Sequence, residues 1–324
     1  MNILILGGGG MLGQKLAQAL SSRGHLRTRP ITRLTLADLA IPAPVANSNC
    51  VACDIADPAA VSAVLTPDTD VIFHLAAIVS SQAEQEFDIG FRVNLDGTRH
   101  VLEAARALGT CPVVVFTSSL AVYGGTVPDP ITDDSFLNPQ TSYGVQKAMG
   151  ELLLNDYSRR GFVDGRGFRL PTISVRPGTP NKAASGFMSS IFREPLNGNP
   201  ANCPVGRDYA HYYLSPRKCV ENLIRGAEVQ AQMLGQNRCL IMPGRTWTIG
   251  QMIDAMTDVA GPAPARLIDW QPQPEIARIV KGWRSDLRAD RGLSLGLRAD
   301  DSFADNIRAY LEDDRPTSAA VAPR

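Results

Sequence analysis

Short apolar runs and longer amphipathic stretches alternate through the first half of the chain. Asn2–Leu6, Ile31–Ala37, a run closing at Cys53, Asp70–Leu75 and Val113–Phe116 are rich in aliphatic and β-branched residues and too short for helices. Runs of that kind read as strands of a parallel sheet covered on both faces. Between them the apolar spacing widens to helical periodicity. One such stretch, QKLAQALSSRG, is closed by Gly24, and another opens on Asp57-Pro58, a capping residue with proline just inside. A third runs from about Phe87 to Leu108, with Val93, Leu95, Val101, Leu102, Ala105 and Leu108 on its apolar side and Asn94 interrupting it. Strand and helix in alternation predict right-handed βαβ units, hence an α/β, doubly wound, Rossmann-type parallel sheet.

Beyond about residue 172 the rhythm changes. Gly167–Val175 reads as a sixth strand, with Pro171 where the chain must leave the sheet. Arg176–Ser185 is a loop rich in proline, glycine and polar groups. Tyr209–Leu214, a helix from about Pro216 and a short strand at Arg238–Met242 are expected to rejoin the first domain, and Thr248 to cap a further helix. The domains expected are therefore a dinucleotide-binding one over 1–175, rejoined by about 209–246, and a smaller substrate-binding lobe over 176–208 and 247–311. That lobe would contain Trp270 and Trp283. Residues 312–324, charged and then small and proline-containing, read as a disordered tail. No internal repeat is present.

Composition narrows the function classes. With 324 residues, 44% of them hydrophobic, the chain can bury a large core. Lys plus Arg and Asp plus Glu balance at 32 each, so no basic field attracts nucleic acid or anionic lipid. No apolar run reaches transmembrane length, and a first strand at residue 2 leaves no room for a signal peptide, which points to the cytoplasm. Six scattered cysteines suit a reducing compartment. Cys50 and Cys53 form a C-x-x-C, but on a strand an odd separation sends them to opposite faces, and the four histidines lack ligand spacing. No metal is expected.

The candidate chemistry lies at strand ends. Gly7, Gly10 and Gly13 stand in a G-x-x-G-x-x-G between strand and helix. There Gly7 would make the turn, Gly10 admit a pyrophosphate, and Gly13 let helix pack on strand, with Met11 and Leu12 opening a helix whose free N–H groups face the phosphates. Asp38 ends the second strand, about twenty residues past the glycines, where a carboxylate binds the adenosine ribose. It would repel a 2′-phosphate, favouring NAD over NADP, and Arg33 is badly placed to rescue NADP. Asp54 and Ile55 are candidates to flank adenine, and Leu75, Ala76 and Ala77 to let the dinucleotide lie close to the sheet edge. Ser80 and Ser81 follow on a loop, either touching substrate or serving as plain loop serines.

Ser119 ends the fifth strand, and Tyr143 and Lys147 stand four apart on one helix face. A phenol is a poor base at neutrality, and an ammonium beside it favours the phenolate. Ser119, Tyr143 and Lys147 thus form a candidate proton-abstracting site. Asn94 either caps a kink, holds a water behind the lysine, or is a packed core amide. Arg176, Asn181, Lys182 and Ser185 either bind a small carboxylated, hydroxylated ligand or satisfy loop backbone.

Taken together and in order, these motifs, with Val122-Tyr-Gly124 after Ser119, resemble the extended short-chain dehydrogenase/reductase superfamily, the NAD-dependent epimerases and dehydratases. Arg169–Gly198 resembles the branch of D-erythronate dehydrogenases, which oxidise C2 of a four-carbon sugar acid with NAD. The resemblance implies Tyr143 as base, Lys147 on the nicotinamide ribose, Ser119 on the substrate oxygen and Asn94 on a relay water. It also implies nicotinamide over Pro171 and Ile173, and a homodimer joined through the helices around Asn94 and Tyr143. Two departures stand out. Gly8 and Gly9 replace residues that are often alanine, which is expected to loosen the loop. Leu120 and Ala121 stand where sugar-nucleotide dehydratases carry an acidic pair, so dehydration lacks its acid and base. The rivals are a sugar-nucleotide epimerase on the same three residues and a non-catalytic NAD sensor, which usually lacks the phenol or the ammonium.

Overall fold

The computed structural model describes residues 1–178 and 184–315, which form two units. The first comprises Met1–Leu170, Val220–Pro243 and Arg288–Arg298. Its sheet has seven strands: β1 (Asn2–Leu6), β2 (Arg33–Asp38), β3 (Ser48–Ala52), β4 (Val71–His74), β5 (Val113–Ser119), β6 (Asp164–Leu170) and β7 (Cys239–Ile241). They lie in the order β7-β6-β5-β4-β1-β2-β3, every pair parallel. The doubly wound sheet expected from the alternation is present. Its order reverses beside β1, and in such sheets that crevice takes the ligand.

The connecting helices are α1 (Met11–Arg23), α2 (Pro58–Val64), α3 (Ser80–Gln85), α4 (Gly97–Ala107) and α5 (Ser142–Arg159). Gly24 closes α1 in the left-handed conformation, and the Asp57 side chain caps α2 through the Ala59 N–H. One core cluster packs between helices and sheet, including Leu4, Leu6, Ile72, Val101, Leu102, Phe116 and Leu154.

The second unit comprises Pro171–Cys219, Gly244–Leu287 and Ala299–Arg324. Its core gathers Phe187, Ile191, Phe192, Tyr213, Met252, Met256, Phe303 and Ile307, with Trp247 and Trp283 packed against it. Thr248 caps Ile249–Ala260 in a reciprocal box with Gln251.

Several boundaries differ from expectation. The sixth strand spans Asp164–Leu170, and the chain leaves the sheet before Pro171; Thr172–Ile173 pairs instead with Ala210–Leu214 in the second unit. Proline has no N–H to continue a ladder, which is why the break falls there. Ala210–Leu214 therefore does not rejoin the first unit; it also pairs antiparallel with Arg245–Thr248. Arg288–Arg298, expected in the lobe, lies in the first unit. Its anchors are Arg298 N–H to Asn222 and the Asn222 amide back to the Arg298 carbonyl. Within the expected tail, Glu312 and Asp313 end the helix Phe303–Asp313 and pair with Arg217, while 316–324 lie outside the described residues.

Candidate active site

At the β1–α1 turn, Gly7 has φ +85°, and a Cβ there would stand 2.6 Å from the Ala76 nitrogen, on the neighbouring β4 edge. A Cβ on Gly13 would stand 2.1 Å from the Gly7 carbonyl oxygen. Both positions thus require glycine by contact. Gly10 precedes α1 in extended conformation with little around it, and α1 has no acid in its first turn. The N–H groups of that turn, at Met11, Leu12 and Gly13, have no partner inside the helix, so its positive end is open to an anion. Gly8 does not loosen the loop: a Cβ there would stand 2.8 Å from the Leu36 Cβ, so it packs tightly on β2.

Asp38 ends β2, and its carboxylate accepts the Gly9 N–H at 2.9 Å and the Leu39 N–H at 2.8 Å. Arg33, at the other end of β2, is paired with Asp68. Asp54 is exposed, whereas Ile55 is buried with its side chain against Gly97. Leu75, Ala76 and Ala77 are half-buried at the β4 carboxyl edge. Ser80 and Ser81 open α3 instead of lying on a loop.

The strongest juxtaposition lies between β5 and α5. Thr141 caps α5 by accepting the Gly144 N–H at 3.1 Å. Gly144 lets the first turn press on the chain after β5, where a Cβ would meet the Ala121 carbonyl oxygen at 2.2 Å. That approach brings the Tyr143 phenol toward the Ser119 hydroxyl, which favours the phenolate. One turn on, the buried Lys147 ammonium donates to the Thr117 carbonyl at 2.9 Å, 4.9 Å from the Phe116 ring centre and 5.7 Å from that of Tyr143. Burial pushes Tyr143 up to about 12, against the opposing effect of Ser119, and pulls Lys147 down to about 8. The ammonium was expected to bring the phenol toward neutrality; in this structure burial sets the direction, and it is upward.

Asn94 sits in a π-helical turn, Phe91–Asp96, which leads into α4. Its amide is buried and fully engaged, accepting the Ile78 N–H at 2.9 Å and donating to the Ile78 carbonyl at 3.3 Å and to Gln146 at 2.8 Å. It is a kink residue tied to α5.

Sequence reasoning missed the groups around this site. Glu151, one turn beyond Lys147, accepts from Ser118 at 2.5 Å and pairs with Arg169 at 2.8 Å. Its position eight residues after Tyr143, on the same helix face, was the available signal. Gln146 and Thr98 left no such mark.

In the second unit, Pro171 and Ile173 are buried at its first strand. Arg176 is half-buried; its side chain bonds to Ser189 and to the Ser185 carbonyl, with no carboxylate partner among the described residues. Burial, then the Arg193 charge, lowers its pKa. Asn181 and Lys182 lie outside the described residues. Cys50 and Cys53 are free thiols, and no metal-holding group exists among the described residues. No helix among them is long and apolar enough to cross a membrane.

Residues 3–211 match the NAD dependent epimerase/dehydratase family. Over 319 residues the chain is 51% identical to the D-erythronate dehydrogenase of Cupriavidus necator, covering 97% of this chain and 98% of that one. Against the D-erythronate dehydrogenase of Haemophilus influenzae the identity is 41% over 317 residues, 97% of this chain and 100% of the relative. Among solved structures, the nucleoside-diphosphate-sugar epimerase from Agrobacterium tumefaciens superposes with TM-score 0.93 at 46% identity, over 97% of this chain and 94% of that one.

Proposed function

This chain belongs to the NAD-dependent epimerase/dehydratase family, and from that premise we propose that it is an NAD-dependent dehydrogenase oxidising C2 of a small sugar acid, D-erythronate to 2-dehydro-D-erythronate. The observation that carries the reading is the first turn of α5, bearing Tyr143 and the buried Lys147, pressed onto the chain just after Ser119. The likeness to two D-erythronate dehydrogenases over nearly the whole chain supports the substrate.

The glycine turn fits a dinucleotide, since a Cβ at Gly7 or Gly13 would fill the space its backbone needs. Gly10, Met11, Leu12 and Gly13 would hold the pyrophosphate, Asp38 and Asp54 the adenosine, and Leu75–Ala77 the sheet edge. Asp38, fixed by two backbone N–H groups with no arginine paired to it among the described residues, favours NAD over NADP. Bound NAD supplies the hydride acceptor. Ser119 orients the C2 hydroxyl and Tyr143 takes its proton. Lys147 has donors to spare beyond Thr117, for a ribose hydroxyl, and its charge stabilises the phenolate once formed. Pro171 and Ile173 would back the nicotinamide. Arg176 would hold the substrate carboxylate, with Asn181, Lys182 and Ser185 the further candidates of that loop, and Ser80 and Ser81 are candidates for the substrate hydroxyls. We infer a cytoplasmic homodimer.

NADH should appear when the protein is mixed with NAD and D-erythronate, and Tyr143→Phe should lose about 10²–10⁴ in kcat while still binding NAD. Turnover undiminished in Tyr143→Phe would sink the assignment. The likeness to a structure described as a nucleoside-diphosphate-sugar epimerase favours a second reading, epimerisation on the same three residues. That reaction returns hydride to its product, so it predicts C4-epimer formation from a sugar nucleotide with no net NADH.

A further inference from the structure

A buried polar chain runs behind Lys147, and the reaction above does not use it. His74, the last residue of β4, is 1% exposed, and its Nε2 lies 3.0 Å from the Thr98 hydroxyl on α4. That hydroxyl donates to the Asn94 carbonyl at 2.7 Å. With the Thr98 proton committed to Asn94, Nε2 must carry the N–H of the imidazole and Nδ1 is left as a bare lone pair. Nδ1 is indeed buried without a partner among the described residues. The Asn94 carbonyl belongs to the π-helical turn, whose wider winding displaces it from the regular helix ladder. Through its side chain Asn94 then grips Ile78 and Gln146. Three segments meet at this one residue, α4, the chain after β4 and α5, and β4 joins them through Thr98.

The arrangement carries two costs that an apolar side chain at 74 would avoid. One is the unpartnered Nδ1, and the other is a polar ring wedged at 5.5 Å against Phe116, the ring beneath the Lys147 ammonium. Neither cost serves packing. We propose that His74 and Thr98 are positioning residues, which hold Asn94 in its π-turn and, through Gln146, hold the turn of α5 that bears Tyr143 and Lys147. Burial, and after it the Lys147 charge, pulls His74 down to about 3, so the ring stays neutral and adds no second cation beside the lysine. The proposal rests on the reading of Tyr143 as the base.

The test is steady-state kinetics with NAD and D-erythronate on Thr98→Val, Thr98→Ser, His74→Phe and His74→Gln, beside Tyr143→Phe. Valine keeps the shape of threonine without the hydroxyl, and a small misplacement of reacting groups should cost Thr98→Val about 10- to 100-fold in kcat. Its NAD dissociation constant, read by NADH fluorescence, should stay within about twofold, and Thr98→Ser should recover kcat to within about threefold, because the chain is then complete again. His74→Gln, which keeps an N–H near the Nε2 position, should retain more kcat than His74→Phe, and that pair decides the matter if Thr98→Val does not fold. The proposal fails if Thr98→Val keeps its kcat, if serine falls as far as valine, or if glutamine and phenylalanine are equivalent. Should Tyr143→Phe remain active, the base assignment falls on its own account; should Tyr143→Phe be inactive and Thr98→Val intact, only the positioning role falls.

Discussion

Lys147 and Glu151 sit one turn apart on the same face of α5, both almost completely buried, and only one of them has a counter-charge. Glu151 meets Arg169, itself 3% exposed, through three hydrogen bonds from its Nε and Nη2, and also takes the Ser118 hydroxyl. Arg169 continues to the Tyr123 hydroxyl at 2.5 Å and the Asp133 carbonyl, and Asp133 accepts the Ile241 N–H at 2.6 Å. The Glu151 and Arg169 charges are matched, and the network ties β5, β6 and β7 to the helix. Lys147 has one carbonyl at 2.9 Å and an aromatic face, and no carboxylate among the described residues. A scaffold closes its charges, whereas a reactive site keeps one open for what must bind there. The same helix does both within one turn.

The largest effect should come from removing the open charge. Lys147→Met is expected to lower kcat/KM by about 10²–10⁴ while leaving stability unchanged or higher, since burying an unpaired ammonium is a cost the folded chain carries. The sign can be checked against pH. Lys147 titrates at about 8 in the folded chain, from an ordinary value of 10.5, so between these limits the unfolded chain binds more protons. Stability therefore rises with pH across that window, and the penalty is fully present below about pH 8. The gap between Lys147→Met and the parent, measured by urea unfolding, should accordingly shrink as pH rises from 8 to 10. Tyr143, raised to about 12, acts the other way and only above its ordinary value of 10. A gap independent of pH would show that Lys147 is not held as a buried charge.

Breaking the closed charge should do the reverse. Glu151→Ala leaves Arg169 buried and unpaired, and is expected to cost about 3–5 kcal/mol of stability, read from the urea midpoint. The double variant Glu151→Leu with Arg169→Met should recover most of that loss. If the double variant is as unstable as the single one, the pair is not the closed scaffold described here.

The contrast also explains what could be read from the sequence. Periodicity, the glycine turn, Asp38, and the four-residue spacing of Tyr143 and Lys147 are local signals, and the doubly wound parallel sheet, the open helix N-terminus and the approach of α5 to the end of β5 followed from them. What stayed hidden depends on tertiary contact. Glu151 and Arg169 are ordinary surface types until β6 runs beside β5, and the packing of Gly97 on Ile55 leaves no mark in the spacing. Ala210–Leu214 has the composition of a strand of either unit, and only its partners assign it to the second. The net direction of the Tyr143 shift was likewise hidden. Spacing reveals a neighbouring charge but not the depth of burial, and here depth decides.

The finest test of the contrast is Ser118, because it touches the closed network while its neighbour Ser119 touches the open site. Both hydroxyls stand at the end of β5, and alternation along the strand sends them to opposite faces. Ser118→Ala removes one donor from Glu151, whose carboxylate keeps its three bonds from Arg169. The loss expected is about 1 kcal/mol of stability, with kcat within about twofold, because no buried charge is left unpaired. Ser119→Ala should differ by lowering kcat through the lost orientation of the substrate hydroxyl, with a stability loss of about 1 kcal/mol from the bond its hydroxyl accepts from the Ala121 N–H. If Ser118→Ala instead lowered kcat as much as Ser119→Ala at equal stability, the Glu151 network would have to be counted within the reactive site.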